Sequence, residues 1–199
     1  VAANAWKQVT IPLADLGGAN TLMNRITIQA VGDQPLFYVD EMYLEGSTGL
    51  PTPTPTSTPS PMPTATATPS PTPSQTPPPS GNELPIVGDG LAAGWANWSW
   101  GASSLDLCAT AEVHTGNCAV AVDLNAWGGL SFHHADFATD DWDSLTFQIH
   151  GGNSGGQQLS VYLQGLPAVS LNDPVYIDGG TVAANAWKQV TIPLADLGG

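Results

Sequence analysis

Apolar and polar residues alternate with period two along most of this chain outside one proline-rich tract. The clearest runs are CAVAVDL (118–124), GLSFHH (129–134), SLTFQIH (144–150), QQLSVYLQ (157–164), WKQVTIPL (187–194, and again 6–13), NRITIQA (24–30) and PLFYVDEMYLE (35–45). Such alternation is the pattern of half-buried strands, whose successive side chains point to opposite faces. Glycine and asparagine clusters punctuate them: GNC, NAWGG, HGGNSGG and IDGG read as turns. No segment offers a long amphipathic helix. Eight to ten or so short strands with turn signals predict an all-β fold, an antiparallel β-sandwich of the jelly-roll type.

The pattern breaks at residues 47–80, STGLPTPTPTSTPSPMPTATATPSPTPSQTPPPS, which hold 12 of the 18 prolines. Proline fixes φ and removes a backbone donor, so the tract can form neither helix interior nor sheet. It reads as an extended polyproline II linker, reaching on the order of 100 Å at ~3.1 Å per residue. Serine and threonine beside proline are O-glycosylation acceptors in a secreted chain, and Thr52, Thr54, Thr56, Thr58, Thr64, Thr66, Thr68 and Thr72 are the candidates. An unmodified, disordered spacer is the plainer reading of the same composition.

The segment VAANAWKQVTIPLADLGG occurs twice, as Val1–Gly18 and as Val182–Gly199, identical at all 18 positions and 181 residues apart. This predicts a window on a tandem array within a longer parent protein. On that reading residues 1–46 are the C-terminal part of one sandwich repeat, 47–80 the linker, and 81–199 the N-terminal part of the next. Joining 82–199 to 19–46 gives 146 residues, an ordinary domain. Two arrangements follow. The identical segments form the same strand in two successive domains, or residues 1–46 complete the fold of 82–199 in space.

Charge narrows the functions. Three cations (Lys7, Arg25, Lys188) face 17 carboxylates, a net charge of −14. Nucleic-acid binding needs a basic face to displace counterions, and anionic membranes attract basic segments, so both are disfavoured. No apolar run reaches the eighteen or so residues of a membrane span, so no membrane insertion is expected. The two cysteines, Cys108 and Cys118, enclose ATAEVHTGN; with no CxxC, a disulfide is expected if the protein is secreted, and two buried thiols otherwise.

The runs DGLAAGWANWSWG (89–101), AWGGLSFHH (126–134), LTFQIHGGNSGGQQLSVYL (145–163), AWKQVTIPLADLG (186–198) and FYVDEMYLEG (37–46) together resemble the jelly-roll, galactose-binding-like carbohydrate-binding modules of secreted bacterial proteins. The resemblance covers the whole non-linker part of the repeat. It implies an extracellular or cell-surface, non-catalytic, glycan-associated module.

Candidate chemistry follows the aromatics. Sugar rings lay C–H faces on indoles, and Trp adds an N–H donor. Trp95, Trp98 and Trp100 are the first candidates, since alternation in WSW places Trp98 and Trp100 on one face; core packing fits the same spacing. Trp127 and Trp142, in turn-like contexts, could extend the platform, whereas Trp6 and Trp187 read as core. Asn97-Trp98-Ser99 is an N-glycosylation sequon. Asp40, Glu41, Glu83 and Asp89 are candidate ligands of a structural calcium, and Asp140, Asp141 and Asp143 form a second acidic cluster; none has EF-hand spacing. Otherwise no cofactor is required, covalent glycans aside. His133 and His134 are adjacent and face opposite sides of a strand, which disfavours a metal pair. No motif singles out the two carboxylates that glycoside hydrolysis needs. The expected function is a structural repeat unit of a glycosylated fibre or stalk, with neighbouring copies as partners. The alternative is a carbohydrate-binding array, with polysaccharide as partner, attached to a secreted glycoside hydrolase or adhesin.

Overall fold

The computed structural model describes residues 22–46, 83–139, 141–164 and 167–197. The Pro/Thr tract with its candidate glycosylation threonines, Val1–Gly18 with Trp6, and Asp140 lie outside the described residues. The described part is all-β and antiparallel. Its strands are β1 (Leu22–Ala30), β2 (Gln34–Glu45), β3 (Glu83–Gly88), β4 (Gly90–Leu91), β5 (Ala96–Asn97), β6 (Trp100–Ala109), β7 (Ala119–Ala138), β8 (Ser144–His150), β9 (Leu159–Leu163), β10 (Val169–Ser170) and β11 (Trp187–Pro193). Two short 3-10 turns, Asp178–Gly180 and Leu194–Leu197, flank β11.

The alternating runs become these strands within a residue or two at most ends, but two differences are instructive. NAWGG is not a turn between two strands: β7 runs unbroken through it for 20 residues. The chain bulges there instead. Trp100 pairs with Gly129 while Ala102 pairs with Leu124, so the four residues 125–128 stand opposite Gly101 alone, and Trp127 takes a left-handed φ of 65°. Bulges re-aim side chains without ending a ladder. The sequence pattern also missed β3 and β6, whose burial does not follow a simple alternation.

A second bulge shifts the inward set of β2. Phe37 and Val39 point inward, then Met42 and Leu44 do. The change from odd to even positions occurs at Asp40–Tyr43, where the register with β8 slips and Glu41 adopts φ 47°. One extra residue reverses which side chains face the core.

The principal hydrogen-bonded order is β10-β9-β1-β7-β2-β3-β4, with β5 and β6 on β7, β8 on β2 and β11 on β8. The long strands β2 and β7 each serve different neighbours along their length, so the sheet curls. Its inward residues meet in one core containing Phe37, Phe132, Phe147, Ile26, Ile28 and Leu130, all at most 1% exposed. Burying each such side chain is worth about 1.5–3 kcal/mol relative to exposure.

Residues 22–46 therefore complete the fold of 83–197 in space. β1 lies between β7 and β9, and β2 touches β7, β8 and β3.

Candidate functional site

Three adjacent strands, β7, β1 and β9, share an outward face. Ile26, Ile28, Leu130, Phe132, Leu159, Val161 and Leu163 point to the core. Period two then sends their neighbours outward. The registers align those neighbours in rows across the strands: His133 beside Arg25; Ser131 beside Thr27 and Tyr162; Gly129 beside Gln29 and Ser160. Thr27 Oγ1 and Ser131 Oγ form a buried 2.9 Å hydrogen bond in the middle row.

The WSW segment runs beside β7 and lays its indoles against this face. The Trp98 indole stacks on the His133 imidazole, with ring centroids 3.7 Å apart and planes 9° from parallel. The Arg25 guanidinium carbon is 5.8 Å from the Trp98 ring centre, a cation–π distance. Trp98 N donates to Ser131 O at 2.9 Å, and Ser131 N donates to Ser99 Oγ at 3.0 Å, which fastens the segment to β7.

Trp100 covers Gly129. A Cβ on that glycine would come within 2.5 Å of the indole, so the ring's position depends on the missing side chain. Trp100 Nε1 donates to Trp127 O at 3.0 Å, and Gln29 Nε2 donates to the same carbonyl at 3.2 Å. The bulge thus turns the Trp127 carbonyl into the anchor of Trp100. Positions 129 and 133 are about 13 Å apart along the strand at ~3.3 Å per residue. That separates the two indoles by the length of a few sugar rings. Trp98 is 51%, Trp100 38% and Trp127 64% exposed.

The remaining tryptophans lie elsewhere. Trp95 is 7% exposed in the core, tilted against His134 and Phe137, with its Nε1 buried and unpartnered among the described residues. Trp142 is half-buried and packs on the core. Trp187 sits between His114 and His150, at centroid distances of 5.6 and 5.2 Å. Asn97 is exposed in β5, with its amide oxygen accepting Ser99 N at 2.9 Å. Arg25, Gln29 and Tyr162 were not singled out for the site from sequence; no local motif marks them, and cross-strand register alone brings them to the tryptophans.

The acidic candidates gather around the disulfide loop. Cys108 and Cys118 are bonded, with Cα atoms 4.8 Å apart. Asp40 Oδ2 accepts His114 N at 3.0 Å and Thr115 N at 3.2 Å, while its Oδ1 accepts Glu41 N at 2.8 Å. Glu41 Oε2 meets His114 Nδ1 at 2.5 Å, and its Oε1 accepts the Thr115 hydroxyl at 2.7 Å. Asp89 accepts Asn117 N and Asn117 Nδ2, both at 2.6 Å, and Cys118 N at 3.1 Å. Burial raises the Asp40 pKa above the ordinary value of 3.8, opposed by its backbone N–H donors. Hydrogen bonds from Asn117 lower that of Asp89. Among the described residues no three His, Cys, Asp or Glu side chains are placed to hold a metal ion. Glu41, Glu83 and Asp89 line a cleft of about 430 Å³ with Tyr43, Pro85, Leu91 and Gln148.

The family model of the expansin-like protein C-terminal domain matches residues 86–199, more than half of the sequence. The chain belongs to that family. The matched range contains the WSW segment, the bulge of β7 and the disulfide, and excludes the β1–β2 hairpin that fills the middle of the sheet. An endoglucanase of Dictyostelium discoideum is 35% identical over 123 residues, which cover 59% of this chain and 17% of the relative. The chain therefore spans about a sixth of that protein's length. No solved structure matches significantly. Among the described residues no helix is long and apolar enough to cross a membrane.

Proposed function

We propose that this expansin-like domain is a non-catalytic carbohydrate-binding module, and that the outward face of β7, β1 and β9 receives a polysaccharide. The observation that carries this reading is the pair of exposed indoles on one polar sheet face, Trp98 stacked on His133 and Trp100 over Gly129. Sugar rings would stack on the indoles, and Gln29, Arg25 and Tyr162 would hydrogen-bond hydroxyls between them. The likeness to an endoglucanase makes a glucan the first ligand to test. The curled sheet is read as a jelly-roll sandwich, and the disulfide fits a secreted, extracellular setting. The test is binding of the full chain to insoluble cellulose and soluble glucans, beside Trp98→Ala and Trp100→Ala. Binding reduced by both substitutions, without release of reducing ends, is the expected result. Binding to no glycan, or binding indifferent to both, overturns the reading.

A second reading is favoured by one specific observation, the exact duplication of 18 residues on either side of a Pro/Thr tract. In it the module is a repeat of a glycosylated extracellular fibre, and sugar binding and assembly coexist. Electron microscopy of the native material tests it: ordered filaments with an axial repeat support it, and isolated flexible chains do not.

A further inference from the structure

The sheet has one place for the strand β11, and the chain carries two identical segments that fit it. Val182 is buried, and its carbonyl accepts Gly156 N at 2.8 Å; Ala183 O accepts Gly151 N at 2.9 Å. β11 then pairs residue by residue with β8, from Trp187 opposite His150 to Pro193 opposite Ser144. Val190, Ile192, Leu194 and Leu197 enter the core at 2% exposure or less. Every one of these residues recurs in Val1–Gly18, as Val1, Ala2, Trp6, Val9, Ile11, Pro12, Leu13 and Leu16.

The place is also open to exchange. β11 is an edge strand among the described residues: its ladder is with β8, and on its other side its backbone makes a bridge between Val190 and Ile177 and a bond from Thr191 N to Tyr176 O. Replacing it breaks no ladder inside the sheet. β1, which follows the N-terminal copy in sequence, is held between β7 and β9. Leu22 opposes Ala138, and Trp142 N bonds Thr139 O in the turn beyond. Asp143, next along, donates to Glu45 O and accepts Leu194 N, so the start of β1 and the end of β11 lie at the same end of the sheet. Leu16 matches Leu197, and six residue steps from Leu16 to Leu22 reach at most about 20 Å.

We propose that Val1–Gly18 of the same chain is an interchangeable occupant of the place held by Val182–Gly199. When it enters, residues 1–46 supply strand and hairpin in one continuous piece, and Val182–Gly199 is released with its apolar stripe exposed. Either occupant offers β8 and the core the same side chains, because the sequences are the same; only the connections differ.

The experiment compares four full-length chains: parent, Val9→Asp, Val190→Asp and the double variant. Each single variant keeps one intact occupant and should melt within a few degrees of the parent, whereas the double variant should lose its cooperative transition. A cysteine pair reads the occupant directly. Gln189 opposes Gln148, and Gln8 is its copy. In the Val190→Asp background, Gln148→Cys with Gln8→Cys should form a disulfide within a monomer by mass. Val190→Asp as unstable as the double variant overturns the proposal, as does a double variant as stable as the parent. If the two introduced thiols link only between two molecules, that overturns it too, and points to a second copy as the occupant.

Discussion

The Trp98 indole lies flat on the His133 imidazole, 3.7 Å between centroids, while half of its surface stays open to solvent. One ring face is held by His133 of β7. A stacked aromatic fixed from beneath loses little freedom when a ligand lands on it, which favours binding.

Trp98→Ala should therefore weaken glucan binding with little effect on folding. Aromatic stacking is worth about 0.5–1.5 kcal/mol beyond area, so with the lost contact area a roughly tenfold rise in Kd is expected. Affinity electrophoresis on glucan gels, with thermal melts as control, checks it. Arg25→Gln should act in the same direction, since Arg25 lies against the same ring.

Gly129 tests position rather than contact. Gly129→Ala puts a Cβ where the Trp100 ring lies, 2.5 Å away, so the indole must swing out. Trp100 then loses its Nε1 bond to the Trp127 carbonyl. Glucan affinity should fall as far as in Trp100→Ala, while overpacking costs about 1–3 kcal/mol of stability at most. Tryptophan fluorescence should shift in the same variant.

The disulfide loop concerns stability. Breaking Cys108–Cys118 by Cys→Ser at both positions should cost about 3 kcal/mol on the chain-entropy view. Denaturant unfolding measures it. The aromatic face is built on β1, β7, β9 and the start of β6, at the opposite end of β6 from Cys108, so glucan binding below the melting transition should survive.

Asp89 gives a pH dependence of known sign. Its pKa is lowered in the fold, chiefly by Asn117, so its contribution is complete above the ordinary value of 3.8 and is lost as pH falls through the lowered value. Asp89→Ala should be less stable than the parent at neutral pH, and the difference should shrink below pH 3.8. Asp40 runs the other way: burial raises its pKa, so its protonated form favours the fold below 3.8 and that contribution is lost as pH rises through the raised value. Melting temperature followed across acid pH separates the two.

Much of this protein was legible locally. Period-two alternation marked SLTFQIH as β8 at both ends and came within two residues for β1, β2, β9 and β11. Alternation is a property of a single strand, because the pleat alone decides which side chains share a face. The short spacing of Cys108 and Cys118 likewise pointed to their bond. Pairing is a different matter, since it joins residues far apart in sequence. That β7 continues through NAWGG follows from β6, which pairs with Gly129 on one side of that stretch and with Leu124 on the other and so makes a bulge out of a turn-like sequence. That Trp95 is buried while Trp98 and Trp100 are open depends on how the segment pairs alongside β7. The set Arg25, Gln29 and Tyr162 exists only through the register of three strands. The sequence by itself determined most of the longer strands and the duplication of the segment that contains β11. Only tertiary structure decided which strands are neighbours, and so which residues form a surface, because long-range hydrogen-bond register is set by packing in the whole sheet rather than by any local pattern.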